Sequence, residues 1–285
     1  MQRAGCTPAA PVCFWKRLDM TSTQHPAKSG GRAHDLRAVV SHRYGFVYVP
    51  VPKCGTTTMD HVLHIIHGIE DLEYRIDTDH AVRYTPDRKS GRDIETLYVP
   101  VNYIRRFRRQ FEDYTWISVV RNPYDRLVSM YNYDVRRYAK YFDRKAYLYA
   151  GFFKRAAFVL GRDPRATQRN AIRRRIGFDR FVRGLEESGT DFDIHFMRQT
   201  DIMFYDLLSY DRLIDVDRLS TDLPPLLREL AVKEELVERL APFPRSNPSR
   251  PSDARYDETT RAVAYRLYQP DFAALTPWAS SVPGE

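Results

Sequence analysis

The apolar positions of this chain gather into two short continuous runs, Gly45-Phe46-Val47-Tyr48-Val49 and Trp116-Ile117-Ser118-Val119-Val120. Their length and their β-branched and aromatic content predict strands, and the second has the near-unbroken character of a parallel strand buried on both faces. Pro50 and Pro52 stop the first run. Beyond it Met59, Val62, Leu63 and Ile66 recur at spacings of three and four, one face of a helix that starts near Thr56. The second run ends at Arg121, where Asn122 suits a helix N-cap and Pro123 a first helical position. Tyr124, Leu127, Val128 and Tyr131 then form a buried stripe, with Ser129 on its flank. Further on, the pattern predicts amphipathic helices at 147–160 and 178–185 and a short strand at 212–216. A helix capped by Ser220 or Asp222 should run through Leu226 and Leu230, followed by a short one at 236–240 and a last one at 257–268. Residues 242–251 read as a proline-punctuated loop. No internal repeat is evident.

Strand, turn, basic residue, hydroxyls and helix start occur in the same order in both segments, which is the layout of a split phosphate site. Ligands of open α/β sheets collect outside the carboxyl ends of strands, where both turns would lie. In the first, Gly55 permits close approach of the backbone. The N–H groups of residues 54 to 58 meet an anion at a helix N-terminus, and Lys53, Thr56, Thr57 and Thr58 add a charge and hydroxyl donors. The nucleotide-triphosphate loop Gly-x-x-x-x-Gly-Lys-Ser/Thr places its lysine after the second glycine. Here Lys53 precedes the only glycine of its loop, which argues against a kinase or ATPase. Taken alone, Pro52-Lys53-Cys54-Gly55 is also an ordinary strand-to-helix turn.

Pro52-Lys53-Cys54-Gly55-Thr56-Thr57 resembles the 5′-phosphosulfate loop of sulfotransferases, and Arg121-Asn122-Pro123-Tyr124-Asp125-Arg126-Leu127-Val128-Ser129 resembles their 3′-phosphate segment. The second form is most similar to the carbohydrate sulfotransferases of the chondroitin and dermatan type and their bacterial relatives. Weaker similarity continues through residues 195–199, 210–214 and 268–272. The resemblance implies a P-loop-NTPase-like α/β fold, a parallel sheet flanked by helices with additional helices in one sulfotransferase domain. It implies 3′-phosphoadenosine 5′-phosphosulfate (PAPS) as donor, a glycan or other hydroxyl- or amine-bearing acceptor, and no requirement for a metal. Lys53 and the loop donors (Cys54, Gly55, Thr56, Thr57, Thr58) would neutralise charge on the leaving phosphate. Arg121 and Ser129 would hold the 3′-phosphate. Arg250, Ser252 and Arg255, in a late loop that closes over the nucleotide in such enzymes, are secondary contacts or a plain surface loop.

A hydroxyl acceptor calls for a general base, and histidine is the usual one near neutral pH. Of eight histidines, His80 is the first choice, since several relatives carry a base between the two motifs, and His195 the second, since it lies in the weaker resemblance at 195–199 and could shape the acceptor site; either is otherwise a structural or surface histidine. His61, His64 and His67 lie opposite the apolar stripe of their helix and are expected to form a solvated face in preference to a metal site.

With 285 residues, 43% of them hydrophobic and 29% charged, one large core is affordable. Residues 1–40 mix Pro, Gly, Ser, Lys and Arg without a period and are expected to be a disordered leader. The domain should follow at 41–278, with a tail at 279–285. No apolar run reaches membrane-spanning length. Cys6, Cys13 and Cys54 cannot all pair, which favours a reducing cytoplasm. The net charge of +8 includes the clusters Arg105, Arg106, Arg108, Arg109 and Arg173, Arg174, Arg175. These are solvated helix faces or a field for an acidic partner, either the donor or an anionic glycan. A non-catalytic nucleotide- or nucleic-acid-binding protein on the same fold is the alternative, though no nucleic-acid module accompanies the charge. The tyrosines of 141–149 are read as core or as lining of a sugar site.

Overall fold

In the computed structural model the described residues are 34–69, 93–142, 144–160, 176–240 and 254–275, with the backbone alone described at 133–150. A five-stranded sheet lies at the centre in the order β3-β1-β2-β4-β5. Its strands are β1 (Leu36–Ser41), β2 (Phe46–Val49), β3 (Ile94–Val99), β4 (Thr115–Val120) and β5 (Arg212–Asp215). The α/β class is as expected, but the sheet is mixed. β2, β4 and β5 are parallel, while β1 runs antiparallel to both β2 and β3.

The antiparallel member has a local cause. Ser41 pairs with Phe46 across a four-residue turn, 42–45, which Gly45 closes with φ +62°. A connection this short joins only antiparallel strands. The domain therefore begins earlier than the expected boundary at 41, which falls inside β1. Leu36-Arg37-Ala38-Val39-Val40 has no strict alternation to mark it as a strand, and β3 lies in a stretch where no strand was expected.

Helices α1 (Thr56–Ile66), α2 (Ile104–Gln110), α3 (Pro123–Phe142), α4 (Arg144–Val159) and α5 (Phe178–Ser188) follow the chain order among the described residues. After them come α6 (Gln199–Ile202), α7 (Leu219–Glu229), α8 (Glu234–Arg239) and α9 (Glu258–Leu275). The main core packs both faces of the sheet against apolar residues that include Met59, Leu63 and Ile66 of α1 and Leu223 and Leu227 of α7. A second apolar cluster joins α3, α5 and α9 through Tyr124, Leu127, Phe181, Val182 and Tyr268.

Two helix ends differ from expectation. Ser220 and Asp222 lie inside α7, whose N-cap position is Arg218 without a side-chain cap; the capping carboxylate is Asp215, which accepts from the Asp217 N–H at 2.9 Å at the start of the single turn Val216–Arg218 that leads into the helix. The last helix does not stop at 268. Asp257 and Thr260 form a reciprocal cap, Thr260 N–H to Asp257 Oδ1 at 2.7 Å and Asp257 N–H to Thr260 Oγ1 at 3.0 Å. The helix then passes Pro270 by kinking at Tyr268 (φ −113°, ψ 20°). Among the described residues no helix is long and apolar enough to cross a membrane.

The three histidines of α1 and its C-cap divide. His61 is exposed, as expected, but His64 and His67 are buried, because the helix is enclosed on more than its apolar stripe. His67 Nε2 lies 3.1 Å from Ser41 Oγ, and its ring packs edge-on to Tyr44. Burial, aided by nearby Arg43, pushes the His67 imidazole down to about 4. The unfolded chain then binds more protons than the folded one between about pH 6.5 and 4, so this group's contribution is present above 6.5 and is lost as pH falls through that window. Burial raises Asp60 to about 6, which acts with the opposite sign over much of the same range. His67→Gln should therefore be compared with the parent pH by pH. In urea unfolding, the variant is expected to gain relative stability on acidification, by about 1.4 kcal/mol per pH unit at most; a difference that does not change with pH would contradict it.

Candidate active site

The turns that follow β2, β4 and β5 lie together at the carboxyl edge of the parallel strands. After β2 the chain closes a turn, Cys54 N–H to Val51 C=O at 3.2 Å, and passes through two left-handed residues, Lys53 (φ +70°) and Gly55 (φ +73°). Gly55 needs both its freedom and its lack of a side chain. A Cβ there would lie 3.0 Å from Val216 Cγ2 in the turn after β5. Gly55 is also the N-cap of α1, and no side chain caps that helix N-terminus.

Cys54 plays a different part from the expected one. Its N–H is committed to the Val51 turn, its side chain is buried, and its thiol points at Gln199 Oε1, 3.1 Å away. Burial pushes the thiol up to about 12, so it is a neutral packing group and no nucleophile. The Cys54 N–H, expected among the loop donors, is thus engaged within the loop itself.

At the end of β4, Asn122 Oδ1 accepts from the Tyr124 N–H at 2.9 Å and Pro123 opens α3, as the sequence predicts. Arg121 Nη1 reaches the Lys53 carbonyl at 3.5 Å, which brings the two motifs together. Ser129 is half-buried in the second turn of α3. Asp125 is half-buried nearby. Burial holds its carboxyl above the usual range, Arg121 draws it down, and Asp217 and Asp215 push it up. The late segment also arrives here: Tyr256 Oη donates to the Tyr124 carbonyl at 3.0 Å, so the exposed Arg255 is one residue from an anchor on the first turn of α3.

Arg126 was not expected to matter. It is off the apolar stripe, a position that ordinarily faces water, yet it is 1% exposed. Its guanidinium donates to three main-chain carbonyls, Pro52 at 3.0 Å, Met197 at 2.8 Å and His195 at 3.2 Å. One planar donor fork therefore ties the first loop, the second motif and the 195–199 segment to each other.

That segment is held on its far side by α9. Tyr268 Oη donates to the Phe196 carbonyl at 2.8 Å, and Arg198 Nε to the Leu267 carbonyl, at the kink, at 2.9 Å. Asp271, 0% exposed, accepts from the N–H groups of Gln199 (2.8 Å) and Thr200 (2.9 Å) and from Thr200 Oγ1 (2.8 Å). The weak similarity at 195–199 and 268–272 was the available signal for these contacts.

His195 is partly exposed, and its Nδ1 lies 2.7 Å from Asp193 Oδ1. An ionised carboxylate only accepts, so Nδ1 carries the hydrogen of this bond and the ring is oriented by it. His80, Arg250, Ser252 and Arg173 to Arg175 lie outside the described residues, as do the side chains of the 141–149 tyrosines. Arg105, Arg106 and Arg109 are exposed on α2, while Arg108 lies over the Trp116 ring at 5.1 Å. Among the described residues no group of three His, Cys, Asp or Glu side chains is placed to hold a metal ion.

A model of the sulfotransferase family matches residues 36–275, from the first residue of β1 to the last of α9. Human carbohydrate sulfotransferase 9 is similar, 24% identical over 277 residues, which cover 90% of this chain and 56% of that protein. The chain thus spans little more than half the length of the curated relative it matches. No solved structure matches.

Proposed function

Because the chain belongs to the sulfotransferase family, we propose that it moves the sulfuryl group of PAPS to a hydroxyl of a carbohydrate. The observation that carries this reading is the junction of two phosphate-type segments at one sheet edge, with the Arg121 guanidinium 3.5 Å from the Lys53 carbonyl. One ligand with two separated phosphate groups suits that arrangement. The residues fit such a donor: a helix N-terminus with no side-chain cap for the 5′ group, and an arginine followed by a half-buried serine on the next helix for the 3′ group.

In the proposed step the acceptor oxygen attacks sulfur in line with the bond from sulfur to the bridging phosphate oxygen. The new S–O bond forms as the bridging one breaks, adenosine 3′,5′-bisphosphate leaves, and the hydroxyl proton goes to a base. Lys53 and the first-turn N–H groups of α1 face the oxygen on which charge develops. Arg121, Ser129 and, less directly, Arg255 hold the donor in place without touching the reacting atoms. His195 is the base that the described residues support. Its carbonyl shares the Arg126 guanidinium with the Pro52 carbonyl, which keeps it beside the loop, and Asp193 orients its ring. Exposed arginines on α2 suit an anionic glycan as the acceptor.

The experiment is transfer of radiolabelled sulfate from PAPS to a panel of glycans. Labelled product supports the reading; donor binding with no transfer to any acceptor would favour the non-catalytic alternative. Arg121→Ala is expected to weaken the bisphosphate by roughly tenfold to a hundredfold, the worth of a charged hydrogen bond, and to leave turnover at saturating donor within a few-fold. Calorimetry and steady-state kinetics measure the two separately, and a loss confined to turnover would contradict the assignment.

A further inference from the structure

Gln199 is 0% exposed and offers nothing to a ligand, yet its carboxamide is spent on the two phosphate motifs. Oε1 accepts from the Arg121 N–H at 3.0 Å and from the Cys54 thiol at 3.1 Å, and Nε2 donates to the Arg121 carbonyl at 2.8 Å. Arg121 is the first residue past β4, where the strand ladder has ended. A side-chain amide there satisfies both its peptide groups as a neighbouring strand would, and so fixes its backbone direction. The same amide holds the residue between Lys53 and Gly55. Behind it, the Gln199 N–H is pinned by buried Asp271.

We propose that Gln199 is a positioning residue that sets the separation of the 5′ and 3′ phosphate subsites, and thereby makes the site selective for nucleotides phosphorylated at both ends. This rests on the donor reading above. A nucleotide with only a 5′-phosphate uses the loop alone and is indifferent to the spacing. One with both phosphates has a fixed span across its ribose and gains the second contact only when the spacing matches.

Adenosine 3′,5′-bisphosphate and adenosine 5′-phosphate are the two probes, titrated by calorimetry into the full chain and into Gln199→Met, which keeps the side-chain length while removing the hydrogen bonds. The bisphosphate is expected to lose about tenfold or more in affinity, and the 5′-phosphate to change by no more than about twofold. Equal weakening of both ligands, the signature of a merely structural role, would overturn the proposal, as would an unchanged preference in the folded variant. Should Gln199→Met fail to fold, Cys54→Ala cuts the loop-side bond alone and is judged by the same ratio, with a several-fold loss expected. If the unmodified chain shows no preference for the bisphosphate, the donor reading itself fails, before any variant is considered, and this proposal falls with it.

Discussion

Lys53→Ala is expected to lower turnover by about 10²–10³-fold, the effect of removing one preorganised donor from a developing oxyanion, while donor affinity changes by only a few-fold. The backbone sharpens the expectation. Lys53 is one of three non-glycine residues with positive φ among the described residues, and φ +70° is a conformation that a side chain ordinarily avoids. The turn aims the residue at the cost of local strain, a pattern common at functional positions. Lys53→Gly should therefore lose as much activity as Lys53→Ala and yet be the more stable protein, by roughly 1 kcal/mol. Turnover, donor affinity and urea midpoint for the pair separate the two effects. If both variants keep turnover and lose only affinity, Lys53 is a ground-state contact and its assigned role is wrong.

Arg126→Ala is the substitution expected to cost the most stability, on the order of 3–5 kcal/mol. The guanidinium fills a buried space and satisfies three carbonyls that lie far apart in sequence, so truncation leaves a cavity together with unpaired acceptors. Arg126→Lys keeps the charge but cannot reproduce the fork, and should recover only part of the loss. Denaturant unfolding of both variants checks this. A folded, stable Arg126→Ala with selectively weakened donor binding would instead make Arg126 a ligand contact. The contrast with Arg121 is instructive: two arginines five positions apart in one motif are expected to fail in different ways, one by unfolding and one by releasing the donor.

How much of this was legible in the sequence depended on whether the determinant was local. The strand ends, the Asn122 cap and the Pro123 start of α3 follow from neighbouring residues, and the structure has them where the pattern put them. Strand β1 was hidden because its pairing partners, β2 and β3, rather than its own composition, make it a strand. Burial of His64 and His67 departs from the expected solvated face, and that of Arg126 has no sign in the pattern, for a related reason. Helical periodicity identifies the first face to be covered, and says nothing of a second layer that closes over the rest. Motif membership puts Cys54 in the anion cradle, whereas the turn from Val51 to Cys54 engages its N–H. Gln199 and Asp271 carry no local signature at all, since their work consists of hydrogen bonds to residues 72 and 78 positions away.

Those separations bear on the order in which the molecule is made. Gln199 follows Arg121 by 78 positions, and Asp271 follows Gln199 by 72 more. During synthesis both phosphate motifs leave the ribosome long before the helix that pins the residue between them. Closure of such distant loops is entropically slow. The sheet edge can form early, but the site reaches its working dimensions only once the kinked final helix has emerged and docked, so a nascent chain that already contains every donor-contacting motif is still an unfinished binding site.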